Sequence, residues 1–290
     1  MQAVTSKISQ RWIALAAIAA PLASCDEGVL GPHGPIGKAE SIILYNATAI
    51  MLAVVIPVIV LTLAFAWWFR AGNTRARYLT DWEFSGRIEM IVWSIPTLVI
   101  VFLGGIAWIG AHDLDPPRPI DSATAPLDID VVSLDWKWLF IYPNEGIASI
   151  NRLVVPVGTP VRFRLTSASV MNSFFVPELG SHIYTMPGMT TRLNLEADQP
   201  GIYQGLSAQF SGDGFSDMRF ELSAVPADQY AAWLQTALAQ GQMLDSAAFQ
   251  TLARPSKAVA PMVFAQVAPG LFDSISARPA SADPSSHQEQ

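Results

Sequence analysis

Two stretches of this chain, residues 41–69 and 90–111, carry no charged side chain. Each exceeds the roughly 20 residues a helix needs to cross a hydrocarbon core about 30 Å thick. That requirement fixes the first part of the chain as two membrane-spanning helices, at 41–69 and 89–111. Pro57 and Pro96 fall inside them, as membrane helices tolerate. Trp67, Trp68, Trp93 and Trp108 fall near the ends, where an amphipathic ring suits the interface. The connection at 70–88 holds Arg70, Arg75, Arg77 and Arg87, and so is expected to face the cytoplasm. Between residue 25 and the first span the basic residue is Lys38. Residues 25–40 and everything from residue 112 onward are then expected on the outer side.

The chain is 51% hydrophobic and 14% charged. An ordinary soluble domain carries nearer a quarter of charged residues, so the apolar surplus belongs to the spans and to the N-terminus. Residues 1–24 have the layout of a secretory signal. Lys7 and Arg11 precede an apolar run from Trp12 to Ala20, and Leu22-Ala23-Ser24 supplies small residues before Cys25. Cys25 is the single cysteine, and its place resembles a bacterial lipoprotein lipidation site. A lipidated Cys25 leaves no thiol, which excludes disulfides, CxxC pairs, cysteine nucleophiles and thiolate metal sites. Asp26 behind it resembles the residue that retains lipoproteins in the inner membrane.

From residue 112 the chain is mixed and polar. Residues 112–126 read as an extended linker, with Pro116, Pro117 and Pro119 blocking helix. Short runs follow, several alternating at period two: Leu127–Val131, Val161–Leu165 and Thr191–Leu195. Trp136–Tyr142, Arg152–Val157, Ser173–Val176, Gly201–Leu206 and Met218–Leu222 complete a set bounded by Gly, Pro and Asn. Such strands over 127–225 predict a sandwich or barrel. Tyr230, Trp233, Leu234 and Leu238 recur at helical spacing, and a second short helix is expected at 245–252. Residues 226–272 read as a helical and packing segment, and 273–290 as a disordered tail. Asp and Glu outnumber Lys and Arg after residue 112, which argues against a nucleic-acid partner.

Two motifs carry a family resemblance. One is Asn172-Ser173-Phe174-Phe175-Val176-Pro177-Glu178-Leu179-Gly180; the other is Ser207-Ala208-Gln209-Phe210-Ser211 running on to Met218. With Asp135-Trp136-Lys137-Trp138 and the two spans, they make residues 25–265 resemble subunit II of the haem–copper respiratory oxidases. The resemblance implies a cupredoxin-like Greek-key sandwich as the outer domain. In the cytochrome c oxidase branch that domain holds a dinuclear copper centre, bound by an early His and then by C-x-E-x-C-x3-H-x2-M. Registered on Met218, the second His falls on Phe215, the cysteines on Ser211 and Ser207, the acidic residue on Gln209, and the early His on Asn172. A thioether alone is a weak ligand, and copper of this type needs soft sulfur donors. These six positions are therefore expected to be vestigial and to bind no metal. Gln209 also replaces a carboxylate that helps hold magnesium in copper-bearing relatives, and an amide is a poorer ligand for that ion. The resemblance is thus to the ubiquinol oxidase branch.

Glu89 opens the second span, with Trp93 and Pro96 on its helical face. By residues alone it is an interfacial carboxylate beside Arg87; the resemblance implies the cytoplasmic mouth of a proton path into subunit I. Trp136 and Trp138 are expected to pack. His33, His112, His182 and His287 lack metal-ligand spacing. After Pro255 only Phe264 and Phe272 remain of an aromatic-rich stretch that the family packs on the sandwich, so reduced packing is expected there.

The resemblance implies a subunit of a proton-pumping ubiquinol oxidase in the bacterial inner membrane, with no redox centre of its own. Haems and copper are expected in subunit I, and subunits I, III and IV, membrane lipid and ubiquinol are the expected partners. The rivals are a membrane-anchored cupredoxin-like lipoprotein for binding or assembly, and subunit II of a cytochrome c oxidase.

Overall fold

A computed structural model describes residues 28–77, 79–239 and 242–278. It divides into two compact units, one of residues 39–115 and one of the remainder. The first is a pair of helices, α1 (Pro35–Trp68, whose first turn belongs to the other unit) and α2 (Gly86–Asp113). At about 1.5 Å per residue both exceed a hydrocarbon core. Their apolar side chains are exposed along most of their length, as expected of surfaces solvated by lipid. The helices outrun the charge-free segments: α1 begins before residue 41, and α2 takes in His112 and Asp113, which were expected in the linker. Hydropathy marks the hydrocarbon, whereas the hydrogen-bond ladder continues into the polar flanks.

The second unit is a sandwich. One sheet contains β1 (Leu127–Leu134), β2 (Lys137–Tyr142), β3 (Ile147–Ile150), β5 (Val161–Ser167), β8 (Thr191–Leu195) and β12 (Met262–Phe264), ordered β12-β3-β2-β1-β5-β8. The other contains β4 (Arg152–Pro156), β6 (Asn172–Phe175), β7 (Ile183–Thr185), β9 (Gly201–Ser207) and β10 (Arg219–Val225), ordered β4-β10-β9-β6-β7. β1 pairs parallel with β5 and β4 with β10; the other pairings in these two sheets are antiparallel. The chain changes sheet at Asn151, which holds the left-handed conformation (φ 54°). Asn tolerates that region better than most residues. Its side chain accepts from the Trp138 N–H at 2.8 Å and donates to the Val259 carbonyl at 2.8 Å. Tyr142 joins the sheets: its hydroxyl accepts from the Val154 N–H at 2.9 Å and donates to the Val154 carbonyl at 3.0 Å.

β2 reads as a continuous apolar run because both of its faces are covered. Trp138, Phe140 and Tyr142 enter the core between the sheets. Leu139 and Ile141 enter a second core with Val132, Leu134, Ala148 and Ile150. The C-terminal segment comprises α3 (Ala227–Ala239), β11 (Met243–Leu244), α4 (Ser246–Leu252), β13 (Gln266–Val267) and α5 (Leu271–Ser276). α3 packs on the first core through Tyr230, Trp233, Leu234 and Ala237, and the residues after it close the second. Asp245 caps α4, accepting from the Ala247 and Ala248 N–H groups at 3.0 and 2.8 Å. Phe249, Phe264, Leu271, Phe272 and Ile275 are all buried. After Pro255 the two phenylalanines share this core with aliphatic Leu271 and Ile275. One expectation is corrected: residues 273–276, expected in a disordered tail, form the end of α5, where Ile275 is buried. The rest of the expected tail, from residue 279, lies outside the described residues.

Residues 28–38 lie along the sandwich. The His33 N–H donates to the Glu178 carbonyl at 2.8 Å, and the His33 carbonyl accepts from the Asp198 N–H at 2.9 Å. Lys38 pairs with Asp198. A Cβ at Gly34 would sit 2.2 Å from the Glu196 carbonyl oxygen, so only glycine permits this approach.

Candidate functional site

The registered copper-ligand positions meet at one end of the sandwich. Asn172 opens β6, Ser207 closes β9, and the 208–218 loop leads into β10. Asn172, Ser207 and Met218 are 1%, 3% and 1% exposed. Neutral contacts connect them. The Ser207 hydroxyl lies 3.2 Å from Asn172 Oδ1 and 3.2 Å from the Gln209 carbonyl, donating to one at a time, and accepts from the Ser173 N–H at 3.5 Å. Asn172 Nδ2 donates to the Val170 carbonyl at 3.1 Å. The Ser207 N–H donates to the Met218 carbonyl, and the Met218 N–H to the Phe215 carbonyl, each at 3.1 Å. Ser211 Oγ stands 4.0 Å from Met218 Sδ.

Trp136 holds the outer part of this loop. Its indole N–H donates to the Ser211 carbonyl at 3.0 Å, and a Cβ at Gly214 would fall 2.4 Å from its ring. Lys257 Nζ sits 5.5 Å from the ring centroid. Trp136 takes a left-handed backbone (φ 64°), which costs a non-glycine residue about 1–2 kcal/mol. The indole's contacts with the loop offset that strain. Phe215, the position of the second His, packs edge-on against Phe210 at 5.6 Å between centroids. Phe210 is 73% exposed at the loop tip.

The residues do not fit a copper centre. Their side-chain donors are an amide, two hydroxyls, a second amide, a thioether and an aromatic ring. None is an imidazole or a thiolate, and the thioether already faces a hydroxyl. The loop keeps its form through hydrogen bonds and through the Trp136 indole, so no electron-transfer step is assigned to it. Among the described residues no group of three His, Cys, Asp or Glu is placed to hold a metal ion.

The other candidates lie elsewhere. Glu89 is in the first turn of α2, where a carboxylate complements the helix dipole. No ion pair joins it to Arg87 or to another described residue. Cys25, the signal and His287 lie outside the described residues. His182 is exposed, edge-on to Phe175 and Tyr184. Trp138 is fully buried between Phe174 and Phe220.

Two charged arrangements were missed by the sequence reading. Lys137 is 1% exposed, and its Nζ donates to the Asp135 and Arg254 carbonyls at 3.2 and 2.8 Å and to Ser256 Oγ at 2.6 Å. Burial pushes its pKa below the ordinary lysine value. On the outer face of β1 and β5, Arg164 grips the Asp130 carboxylate with two contacts of 2.7 Å. Burial nonetheless raises the Asp130 pKa, outweighing the arginine. The signal for these pairs was present in Leu-Asp-Ile-Asp-Val and Val-Arg-Phe-Arg-Leu. Reading it required knowing that these two strands are neighbours.

Comparison with known proteins agrees with this geometry. Residues 129–225 match the family described as cytochrome c oxidase subunit II, periplasmic domain, and residues 239–278 match the COX aromatic rich motif. The chain is 48% identical to cytochrome bo(3) ubiquinol oxidase subunit 2 of Pseudomonas aeruginosa, over 91% of this chain and 80% of that protein. It is also 48% identical to ubiquinol oxidase subunit 2 of Acetobacter aceti, over 89% and 84% of the two chains. Quinol oxidase subunit 2 of Bacillus cereus is 35% identical over 81% of each. With two apolar helices, a periplasmic-type sandwich, and a loop whose donors no longer suit copper, the chain belongs to the ubiquinol oxidase subunit 2 family.

Proposed function

We propose that this chain is subunit II of a proton-pumping ubiquinol oxidase of the bacterial inner membrane, and that it contributes no redox centre. One observation carries the reading: the loop lies in a domain that matches the family's periplasmic domain but has a donor set that does not suit copper. A water-soluble cytochrome would have no entry point, so electrons arrive as ubiquinol within the lipid phase. The haems and the oxygen-reducing copper belong to subunit I. This chain braces subunit I and covers its outer face, with subunits III and IV completing the complex. Val170, Met171, Met189 and Phe210 supply exposed apolar surface at the loop end, and a patch of that kind suits a partner. Cys25 carries the lipid after removal of residues 1–24, and Glu89 loads protons at the cytoplasmic mouth of subunit I.

Purification of the tagged chain in gentle detergent tests the reading. A haem-bearing many-span protein should accompany it, and the complex should oxidise ubiquinol. Recovery of a haem-free single chain would contradict the proposal. Glu89→Gln should slow proton-coupled turnover, and an unchanged rate across pH would remove Glu89 from the path.

A further inference from the structure

The outer face of β1, β5 and β8 presents charged and polar side chains in rows. The register places Asp128, Arg162 and Asn194 side by side, and Asp130, Arg164 and Arg192 side by side. Arg162 holds Asp128, with Nη2 2.8 Å from Oδ2, and Arg164 holds Asp130. Arg164 also reaches Asp273 at 3.4 Å and lies over the Phe272 ring at 4.7 Å. Both aspartates in the rows are therefore taken. Arg192 stands directly across from Arg164, and like charges so opposed repel. No hydrogen bond or ion pair joins its side chain to another described residue.

This third arginine faces a groove. The Pro116 carbonyl accepts from the Asn194 N–H at 3.0 Å and from its side-chain amide at 3.2 Å, which fastens the following segment along edge strand β8. Ser122 and Thr124 of that segment, with Arg162, Arg164, Arg192 and the Arg162-paired Asp128, line a space of about 590 Å³, where the guanidiniums outnumber the carboxylate. That volume is in the range of small-molecule sites. The guanidinium fork matches the spacing of phosphate oxygens, and the hydroxyls of Ser122 and Thr124 supply further donors.

We propose that this groove binds a phosphate-bearing anion, with Arg192 as its main contact. The anion is the headgroup of an anionic phospholipid or free phosphate. The groove's wall begins at Pro117, four residues along the chain from the last residue of a helix with membrane-spanning length, which favours the headgroup.

The test uses the full chain in nanodiscs. The reaction of Arg192 with phenylglyoxal is followed, with exposed Arg219 as internal reference. Three conditions are compared: phosphatidylcholine alone, phosphatidylcholine with inorganic phosphate, and phosphatidylcholine with phosphatidylglycerol. One charge-assisted contact should slow Arg192 about tenfold relative to Arg219. Slowing by phosphatidylglycerol but not phosphate identifies a headgroup site, and slowing by phosphate identifies a free-phosphate site. Equal reactivity in all three conditions, or equal slowing of Arg219, overturns the proposal. In calorimetric titration with phosphate or a soluble glycerophosphoglycerol headgroup, whichever protects, Arg192→Gln should weaken binding about tenfold and Arg192→Lys by less. Unchanged binding by Arg192→Gln at an unchanged melting temperature also overturns it.

Discussion

The loop end and the outer face of β1, β5 and β8 belong to one sandwich, yet they are held in opposite ways. At the loop end the hydrogen bonds join neutral groups: hydroxyl to amide, backbone to backbone, indole to carbonyl. On the outer face the contacts are ion pairs in a fixed register. A dinuclear metal can dictate the shape of the loop that ligates it. Here the Trp136 indole and the Ser207 hydroxyl hold the loop through hydrogen bonds instead. The outer face depends on charge balance, and there Arg192 has no ion-pair partner among the described residues.

Removing the loop's main support is expected to have the largest effect. Trp136→Ala should cost about 3 kcal/mol in chemical denaturation of the full chain, with faster hydrogen exchange across 211–218. The hydrogen bonds that support this loop join neutral groups, so that deficit should stay constant between about pH 4 and 7. A cost that changes with pH would remove the distinction between the two regions. Next is Arg164→Leu, which leaves the Asp130 carboxylate buried without its partner. It should cost about 2 kcal/mol near neutrality, less than for a fully buried pair because Arg164 is 42% exposed.

Here the sign of the pH dependence follows from burial. The Asp130 pKa in the fold is already above its ordinary 3.8, and loss of Arg164 raises it further. Its contribution is therefore full below the ordinary value and is lost as pH rises through the folded value. The Arg164→Leu deficit should be small near pH 4 and grow toward pH 7. A deficit that shrinks over that window would contradict the burial argument. The smallest effects separate single contacts. Ser207→Ala should cost about 1 kcal/mol, the worth of a hydroxyl hydrogen bond. Arg162→Leu should cost less than about 1 kcal/mol, because Arg162 and Asp128 are both partly in water.

What the sequence disclosed and what it hid also divide along these lines. The spans were legible because hydrocarbon demands uninterrupted apolar residues, although α1 and α2 extend beyond those runs. Strands with one wet face, such as Val161–Ser167 and Thr191–Leu195, were legible from alternation. β3, β7 and β12 were not, because three or four residues are too few to show a period. The six positions registered on Met218 could be named from the sequence, and in the structure Ser207 meets Asn172 and Ser211 meets Met218 at one end of the sandwich. The role of Trp136 as the loop's support was hidden: its left-handed backbone belongs to the two-residue turn between β1 and β2, but its contact at Gly214 arises only once distant segments meet. The same holds for Lys137, whose partners come from residues 254 and 256.

If electrons enter as quinol and bypass the sandwich, whose loop lacks the donors for a redox metal, the complex will discriminate sharply between a quinol and a cytochrome. Oxygen uptake by the purified complex, with a short-chain ubiquinol or with reduced cytochrome c as donor, tests this most directly. The account predicts rapid, haem-dependent uptake on the quinol and only background uptake on the cytochrome. Brisk turnover on reduced cytochrome c, at a rate comparable to the quinol, would contradict it.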